Sequence, residues 1–436
     1  MKKVLIFTGL ICALATAGCS KSQVTPAPES PDVNTVGEAD MRKVNVDDLA
    51  ACVQSASSAT ISAEQWADAN NAFGMTLLAK MPAKTTVVSP YSVERAVGMV
   101  YEGACGDTAA EMRKALALPD ASNLSLAGAE IEKAMLGNIA EGTTLAIDNR
   151  VWLEKTYVLL EDYVGRVKTA YNAAPTALDF KGDPDGSRIK INDDVAASTK
   201  DRIQNLLPPG TVDNLTRLVL TNAVYFKAPW MNAFVPEKTV KADFMGVAGT
   251  TSVDMMHHIK NHRVYMDDAF VAFDMDFTGG NYAFMVVLPK VAEGTSGADA
   301  LKNVEAMLTA DKMRQVRNQM DEIKVDLAMP KFKIEAGTVL GPILRELGMN
   351  LAFGGADFRG ISGEKDLFIS EVIHKAFIEV TEEGAEAAAA TAVVMKTRMI
   401  HHEDEPMKIS VDHPFFFSIV EKSSGTALFV GHVTDL

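Results

Sequence analysis

Three observations along this 436-residue chain predict a single mixed α+β domain. Helical and strand patterns alternate through the first half, the second half is mostly strands, and one globular pattern continues from Thr60 to Leu436 without a second linker. A hydrophobic content of 47% with 23% charged residues is ordinary for a globular protein. About 375 residues is long for one core, yet no internal repeat or Pro/Gly-rich break divides it.

The chain opens with a leader. "MKK" is basic, "VLIFTGLICALA" is apolar, and "TAGC" ends at Cys19. The apolar run is about a dozen residues, short of the ~20 that a membrane span needs. Small residues ahead of a cysteine resemble a bacterial lipobox, with residues 1–18 as signal peptide and Cys19 as the lipidated first residue. Thr16 stands where an aliphatic residue is usual, and an ordinary secretory signal with Cys19 a bystander is the alternative. The lipoprotein reading implies an exported chain, lipid-anchored in a bacterial cell envelope. Ser20 in place of Asp favours the outer membrane or cell surface. "SKSQVTPAPESPDVNTVGEAD" (Ser20–Asp40) is Pro-, Ser- and acid-rich and reads as a flexible tether. A transitional stretch extends the lipidated Cys and tether to 19–58, leaving 59–436 as the domain.

Cys12 leaves with the signal and Cys19 takes lipid, so Cys52 and Cys105 remain as thiols. Export permits a disulfide between them; their spacing leaves open whether they approach within ~7 Å. The formal charge is −15, or −17 without Met1–Gly18, which carries Lys2 and Lys3 and no acid. An acidic surface repels phosphate, so nucleic acid and heparin-like partners are not expected.

Along the domain, "SAEQWADANNAFGMTLLAKM" carries apolar residues at helical spacing behind a Ser cap. "SVERAVGMVYEGA" and "TAAEMRKALALP" predict two helices split at Cys105–Asp107. "RLVLTNAVYFKAPW", "NYAFMVVLPK" and "IKVDLAMPKFKIE" predict strands, as do "LFISEVIHKAFIEVT" and "ISVDHPFFFSIVEKSSGTALFVGHV". Between these last two lies "EEGAEAAAATAVVM" (Glu382–Met395), whose alanines favour helix locally. A small, helix-prone segment between strands needs a reason.

No catalytic constellation is visible. There is no GxSxG elbow, and Ser89 and Ser92 in "SPYS" read as a helix cap or buried hydrogen-bonding groups. "HHIKNH" (His257, His258, His262) and "HHED" (His401, His402, Glu403, Asp404) lack a zinc spacing and read as solvated strand or loop histidines.

Several motifs in order resemble the serpin family: "VVSPYSVERAVGMVYEGACGDTAAEM", "LTNAVYFKAPW", "VDMM", "VVLPK", "MPKFKIEAGTVLGPILRELGM", "GADFRGIS" and the carboxy-terminal "ISVDHPFFFSI". A departure is "NDDVA" (Asn192–Ala196), where an aromatic commonly stands two residues after the Asn. The resemblance implies an α+β serpin fold of large mixed β-sheets with eight to nine helices and an exposed reactive-centre loop. It implies a shutter and breach at Ser89, Ser92, Asn222, His374 and Trp230. It also implies a hinge at Glu382, Glu383, Gly384, Ala385, Glu386, Ala387, Ala388, Ala389 and Ala390. In such a protein the cleaved loop enters a β-sheet as a new strand. The residues permit this, because side chains alternate along a strand. Ala385, Ala387, Ala389, Thr391 and Val393 then form one small uncharged face, and Glu386 falls on the other.

The implied activity is irreversible suicide inhibition of trypsin-like serine proteases by an inhibitor that is not itself an enzyme, with elastase-like or cysteine proteases as further targets. Family spacing from Gly384 places the scissile bond at Arg398–Met399, with Lys396–Thr397 as runner-up. No cofactor is implied, and a monomer is expected. The alternative is a non-inhibitory serpin-fold binding or chaperone-like protein. For the anchor, Cys19→Ala is expected to abolish fatty-acid labelling and to move the domain from membrane to soluble fractions. Continued labelling in the membrane fraction would overturn the assignment.

Overall fold

The computed structural model describes residues 41–42, 52, 59–137, 139–385 and 405–436. Cys19, Glu386–Ala390, Lys396, Thr397, Arg398, Met399 and His401–Asp404 lie outside the described residues. In chain order the first elements are β1 (Met41–Arg42), α1 (Ala63–Leu78), β2 (Thr86–Val88), α2 (Pro90–Tyr101), α3 (Gly106–Ala115) and α4 (Leu124–Gly137). Next come β3 (Thr144–Glu154), β4 (Leu159–Leu160), α5 (Glu161–Tyr171), β5 (Thr176–Leu178), α6 (Pro184–Ser198) and β6 (Leu218–Pro229). Then follow β7 (Val240–Met245), β8 (Thr250–Met266), β9 (Phe270–Asp276), β10 (Tyr282–Pro289), α7 (Gly297–Met307) and α8 (Ala310–Asn318). After them stand β11 (Asp321–Pro330), β12 (Phe332–Val339), α9 (Gly341–Glu346) and α10 (Arg359–Ser362). The chain closes with β13 (Glu371–Val380), β14 (Gly384–Ala385), β15 (Met407–Ser410), β16 (Phe415–Glu421) and β17 (Ala427–Val433).

Two sheets organise these elements. One has nine strands, ordered β15-β11-β8-β9-β10-β16-β17-β2, with β7 paired to β8. The other has six, ordered β12-β13-β14-β6-β3-β5, and β13 also pairs β6 directly. Between them α2 is buried at every position, starting at Pro90 as a proline-first helix should. Even Arg95 is enclosed, bonded to Glu132 and to the Ser125 and Ala170 carbonyls, with its guanidinium 4.1 Å from the Tyr171 ring. Burial pushes the neighbouring Glu94 carboxyl up to about 7. On the opposite face of the six-stranded sheet, α6 closes a second core of Trp152, Ile191, Val195, Val219, Ala223 and Ile373, among others.

The structure departs from the sequence reading at definite points. Ten α-helices occur among the described residues, close to the expectation of about eight to nine; α9 and α10 span only 6 and 4 residues and carry no periodicity to read. His258 and His262 are buried, not solvated: their Nε2 atoms lie 2.9 Å apart, and Phe234 stacks on His258 at 4.0 Å. Burial, then the facing His262, holds the His258 imidazole neutral down to about 3. Asp194 occupies the place where an aromatic was expected and meets Arg150 of β3 at 3.6 Å, while Ser198 bonds Asp148. A polar latch there takes over from the expected packing. Cys52 and Cys105 form a disulfide, and Met41–Arg42 run parallel to Leu159–Leu160. Two points of the predicted tether are therefore attached to the domain.

Candidate functional site at the sheet seam

The six-stranded sheet has an unusual centre. β13 and β6 run parallel from Glu371↔Val219 to Phe377↔Tyr225, then separate to admit β14, where Gly384 pairs Pro229 and Ala385 pairs Ala228 and Val380. A closed seam below and an added strand above meet in one sheet.

The closed part is held by polar groups. Asn149, Asn222 and His374 stand level across β3, β6 and β13. Beneath them Ser89 caps α2 by accepting from the Ser92 amide at 3.2 Å. The Ser89 amide donates to His374 Nε2 at 3.2 Å, so that nitrogen carries no proton. The proton therefore sits on Nδ1 and is donated to Asn222 Oδ1. Asn222 Nδ2 donates to Ser92 Oγ and to Asn149 Oδ1, and Ser92 Oγ donates to Asn149 Oδ1 at 2.6 Å. Ser89, Ser92, Asn222 and His374, singled out from the sequence, are thus brought together. Asn149 was missed. Its signal was an Asn, depleted in strands, on the same phase as the buried Leu145, Val151 and Leu153.

Trp230 lies elsewhere, at the open end. Its indole donates to the Thr381 carbonyl at 2.9 Å and stacks on Phe277 at 4.5 Å. The turn between β13 and β14 is tied down at each residue. The Trp230 and Phe234 amides donate to the Glu383 and Glu382 carbonyls, both at 2.8 Å. The Glu382 carboxylate meets Lys331 Nζ at 2.8 Å and accepts from Thr239 Oγ1 at 2.8 Å. Burial alone would raise its pKa, but these bonds hold it below the ordinary value. None of these ties was read from the sequence. Gly384 is required by space: a Cβ would lie 2.1 Å from the Ala228 carbonyl oxygen, which cannot yield.

This arrangement makes the fold sensitive to pH. Both ring nitrogens of His374 are engaged, and burial pushes its pKa down to about 3. The unfolded chain then binds a proton that the folded one refuses, between about 6.5 and about 3. The contribution of His374 to stability is full above pH 6.5 and declines as pH falls through that window. His374→Gln is expected to reduce the slope of the melting-temperature profile between pH 6.5 and 4, leaving the share that His258 contributes, and an unchanged slope would contradict this.

The family model described as Serpin (serine protease inhibitor) matches residues 68–436. An uncharacterized serpin-like protein of Thermococcus kodakarensis is 37% identical over 80% of this chain and 80% of its own length. Leukocyte elastase inhibitor A of Rattus norvegicus is 35% identical over 85% of this chain and 99% of its own. The crystal structure of Serpin48, a highly specific serpin of the insect Tenebrio molitor, superposes with a TM-score of 0.73 at 30% identity, covering 86% of this chain and 98% of that one. This chain belongs to the serpin family of serine protease inhibitors.

Proposed function

We propose that the protein is a suicide inhibitor of serine proteases with trypsin-like specificity. The observation that carries this reading is Gly384–Ala385 paired on both sides between β6 and β13. Loop insertion is the family's known behaviour; this chain supplies the register. Continuing it sets Ala387 against Phe226, Ala389 against Val224, Thr391 against Asn222 and Val393 against Leu220. Phe226, Val224 and Leu220 are buried, so small uncharged partners suit that face. Glu386 meets Lys227 on the other face, where a charge finds its opposite. Thr391 arrives level with the Asn222–His374 bond that insertion breaks, and its hydroxyl offers those groups a new partner.

Arg398 suits a trypsin-like pocket, since a guanidinium meets a buried carboxylate with two parallel hydrogen bonds and the Lys396 ammonium does not. The protease serine attacks the Arg398 carbonyl carbon, the bond to the Met399 nitrogen breaks, and the protonated amine leaves. An acyl-enzyme ester remains. At about 3.3 Å per residue, insertion along the 12-residue β6 carries that ester roughly 40 Å. Displacing catalytic groups by about 1 Å costs ~100-fold in rate, so deacylation stalls. No cofactor is needed, and one chain suffices. Cys19 anchors the inhibitor in the cell envelope.

Trypsin is expected to form an SDS-resistant complex that releases a carboxy-terminal peptide beginning at Met399. A peptide beginning at Thr397 moves the bond to Lys396, and absence of any complex favours the non-inhibitory alternative. Ala387→Arg forces an unpaired charge against Phe226, a penalty of several kcal/mol. That variant should be cleaved while active trypsin is recovered; a wild-type yield of complex removes the insertion reading.

A further inference from the structure

Beside the hinge turn lies a pair of imidazoles that the polar row does not include. His258, Lys260 and His262 share one face of β8, since side chains alternate along a strand. Both histidines are buried, at 3% and 6% exposure. Their Nε2 atoms are 2.9 Å apart, so one ring donates to the other. His262 Nδ1 meets the Asp274 carbonyl at 3.1 Å, and a carbonyl only accepts, so the His262 proton sits on Nδ1. His262 Nε2 is then bare and accepts from His258 Nε2. That leaves His258 Nδ1 bare, buried and without a hydrogen-bond partner. Phe234 lies flat on the His258 ring, with centroids 4.0 Å apart and planes 8° apart. The Phe234 amide donates to the Glu382 carbonyl at 2.8 Å. The residue that covers the imidazole therefore also holds the hinge turn.

We propose that His258 and His262 are positioning residues of the hinge, a neutral seat whose protonation lifts Phe234 and frees the Glu382 carbonyl. Burial, then His262, opposes a proton on His258; the Ala233 backbone favours one, and Lys260 and Lys238 oppose it further. Burial opposes a proton on His262 too, against the Asp274 backbone and Asp276, which favour it. From β11, Leu327, Val325 and Ile323 stand level with this face and bring no charge. Asp276 is engaged by Lys422 at 2.7 Å, and on the hinge turn the Glu382 carboxylate is engaged by Lys331. Stacking on Phe234 favours a cation, yet His258 stays neutral down to about 3, so burial wins. A proton is accepted only together with water, and water has one easy entry. β8 is laddered to β9 and β11, whereas Phe234 stands in an irregular stretch between β6 and β7.

Folding lowers both imidazoles, so the seat is full above pH 6.5 and weakens as pH falls. At pH 5 an exposed imidazole, with its ordinary value of about 6.5, favours its protonated form about thirtyfold. Each histidine exposed on opening favours the open turn by about that factor. Asp274 runs the other way. Burial, only partly offset by Arg317 and Arg263, holds its carboxyl up to about 6, so it takes a proton in the closed form and favours closure in acid. Replacing the histidines isolates their share.

The consequence for inhibition rests on the proposed function, but the seat itself is read by amide hydrogen exchange on the full chain. From pH 7.5 to pH 5, protection of the Phe234 and Trp230 amides, corrected for intrinsic rates, should fall at least about tenfold. Amides of β16 and β17 should hold theirs within about twofold. Glutamine offers a flat amide that donates and accepts but takes no proton, so in His258→Gln/His262→Gln the fall should vanish. Where that double variant fails to fold, His258→Gln alone should at least halve the fall on a logarithmic scale. Kept at pH 5 without protease, the wild type should lose inhibitory capacity at least about fivefold faster than at pH 7.5, and the double variant should not. Wild-type protection that is flat with pH, a fall that the variants keep, or a uniform fall across both sheets overturns the seat. A localised fall in a protein that never traps trypsin upholds the seat and sinks the inhibitor reading.

Discussion

The bond between His374 and Asn222 joins two parallel strands at the centre of the six-stranded sheet, and a row of buried polar groups is ordered around it. Apolar contact across a seam is tolerant of sliding, since burial has no direction. A row of amide, imidazole and hydroxyl groups is not tolerant, because each donor has one well-placed acceptor and a lost partner leaves a buried polar atom unpaired. The seam of β6 and β13 is closed by such a row. The same row rests on Ser89, whose side chain caps α2 and whose amide fixes the His374 tautomer. Helix and sheet are therefore coupled through one residue.

Above that row the sheet is already parted. Gly384 and Ala385 both pair β6 and Ala385 also pairs β13, and their small size lets backbone approach backbone. The turn before them is gripped from outside by Trp230, Phe234, Lys331 and Thr239. One end of the seam thus has a short added strand, and the other end has none. On the proposed insertion, a new strand would gain hydrogen bonds at every step while each step first parted an existing pair. The polar row is where that balance would be steepest, and Thr391 is the one polar residue in the alternating set Ala385, Ala387, Ala389, Thr391 and Val393.

Other elements distribute resistance along the same seam. α6 spans it through Val219 and Ala223 on one side and Ile373 on the other, with Asp194 and Ser198 fastening that helix to Arg150 and Asp148. The far end is closed by Tyr157 to Asp366 and by the Ser370 amide to the Leu218 carbonyl. The Cys52–Cys105 disulfide ties a residue ahead of the matched family region to one within it.

Much of this was legible in the residues alone. Long β-branched runs specified β6, β10, β11 and β13, and the Ser62 cap with helical spacing specified α1, because local propensity and burial pointed the same way. The two-residue alternation of "GAEAAAATAV" specified which face of an inserted strand would be small, since strand geometry fixes that phase without reference to any partner. The resemblance supplied Ser89, Ser92, Asn222 and His374, and nearness in space then added Asn149. Tertiary structure alone decided the Cys52–Cys105 pairing, the burial of His258 against His262 and Phe234, and the ties that hold Glu382. Each of these is a contact between residues far apart in the chain. Local sequence sets what a segment can become, but the partner of a polar side chain is chosen by where the rest of the chain is folded.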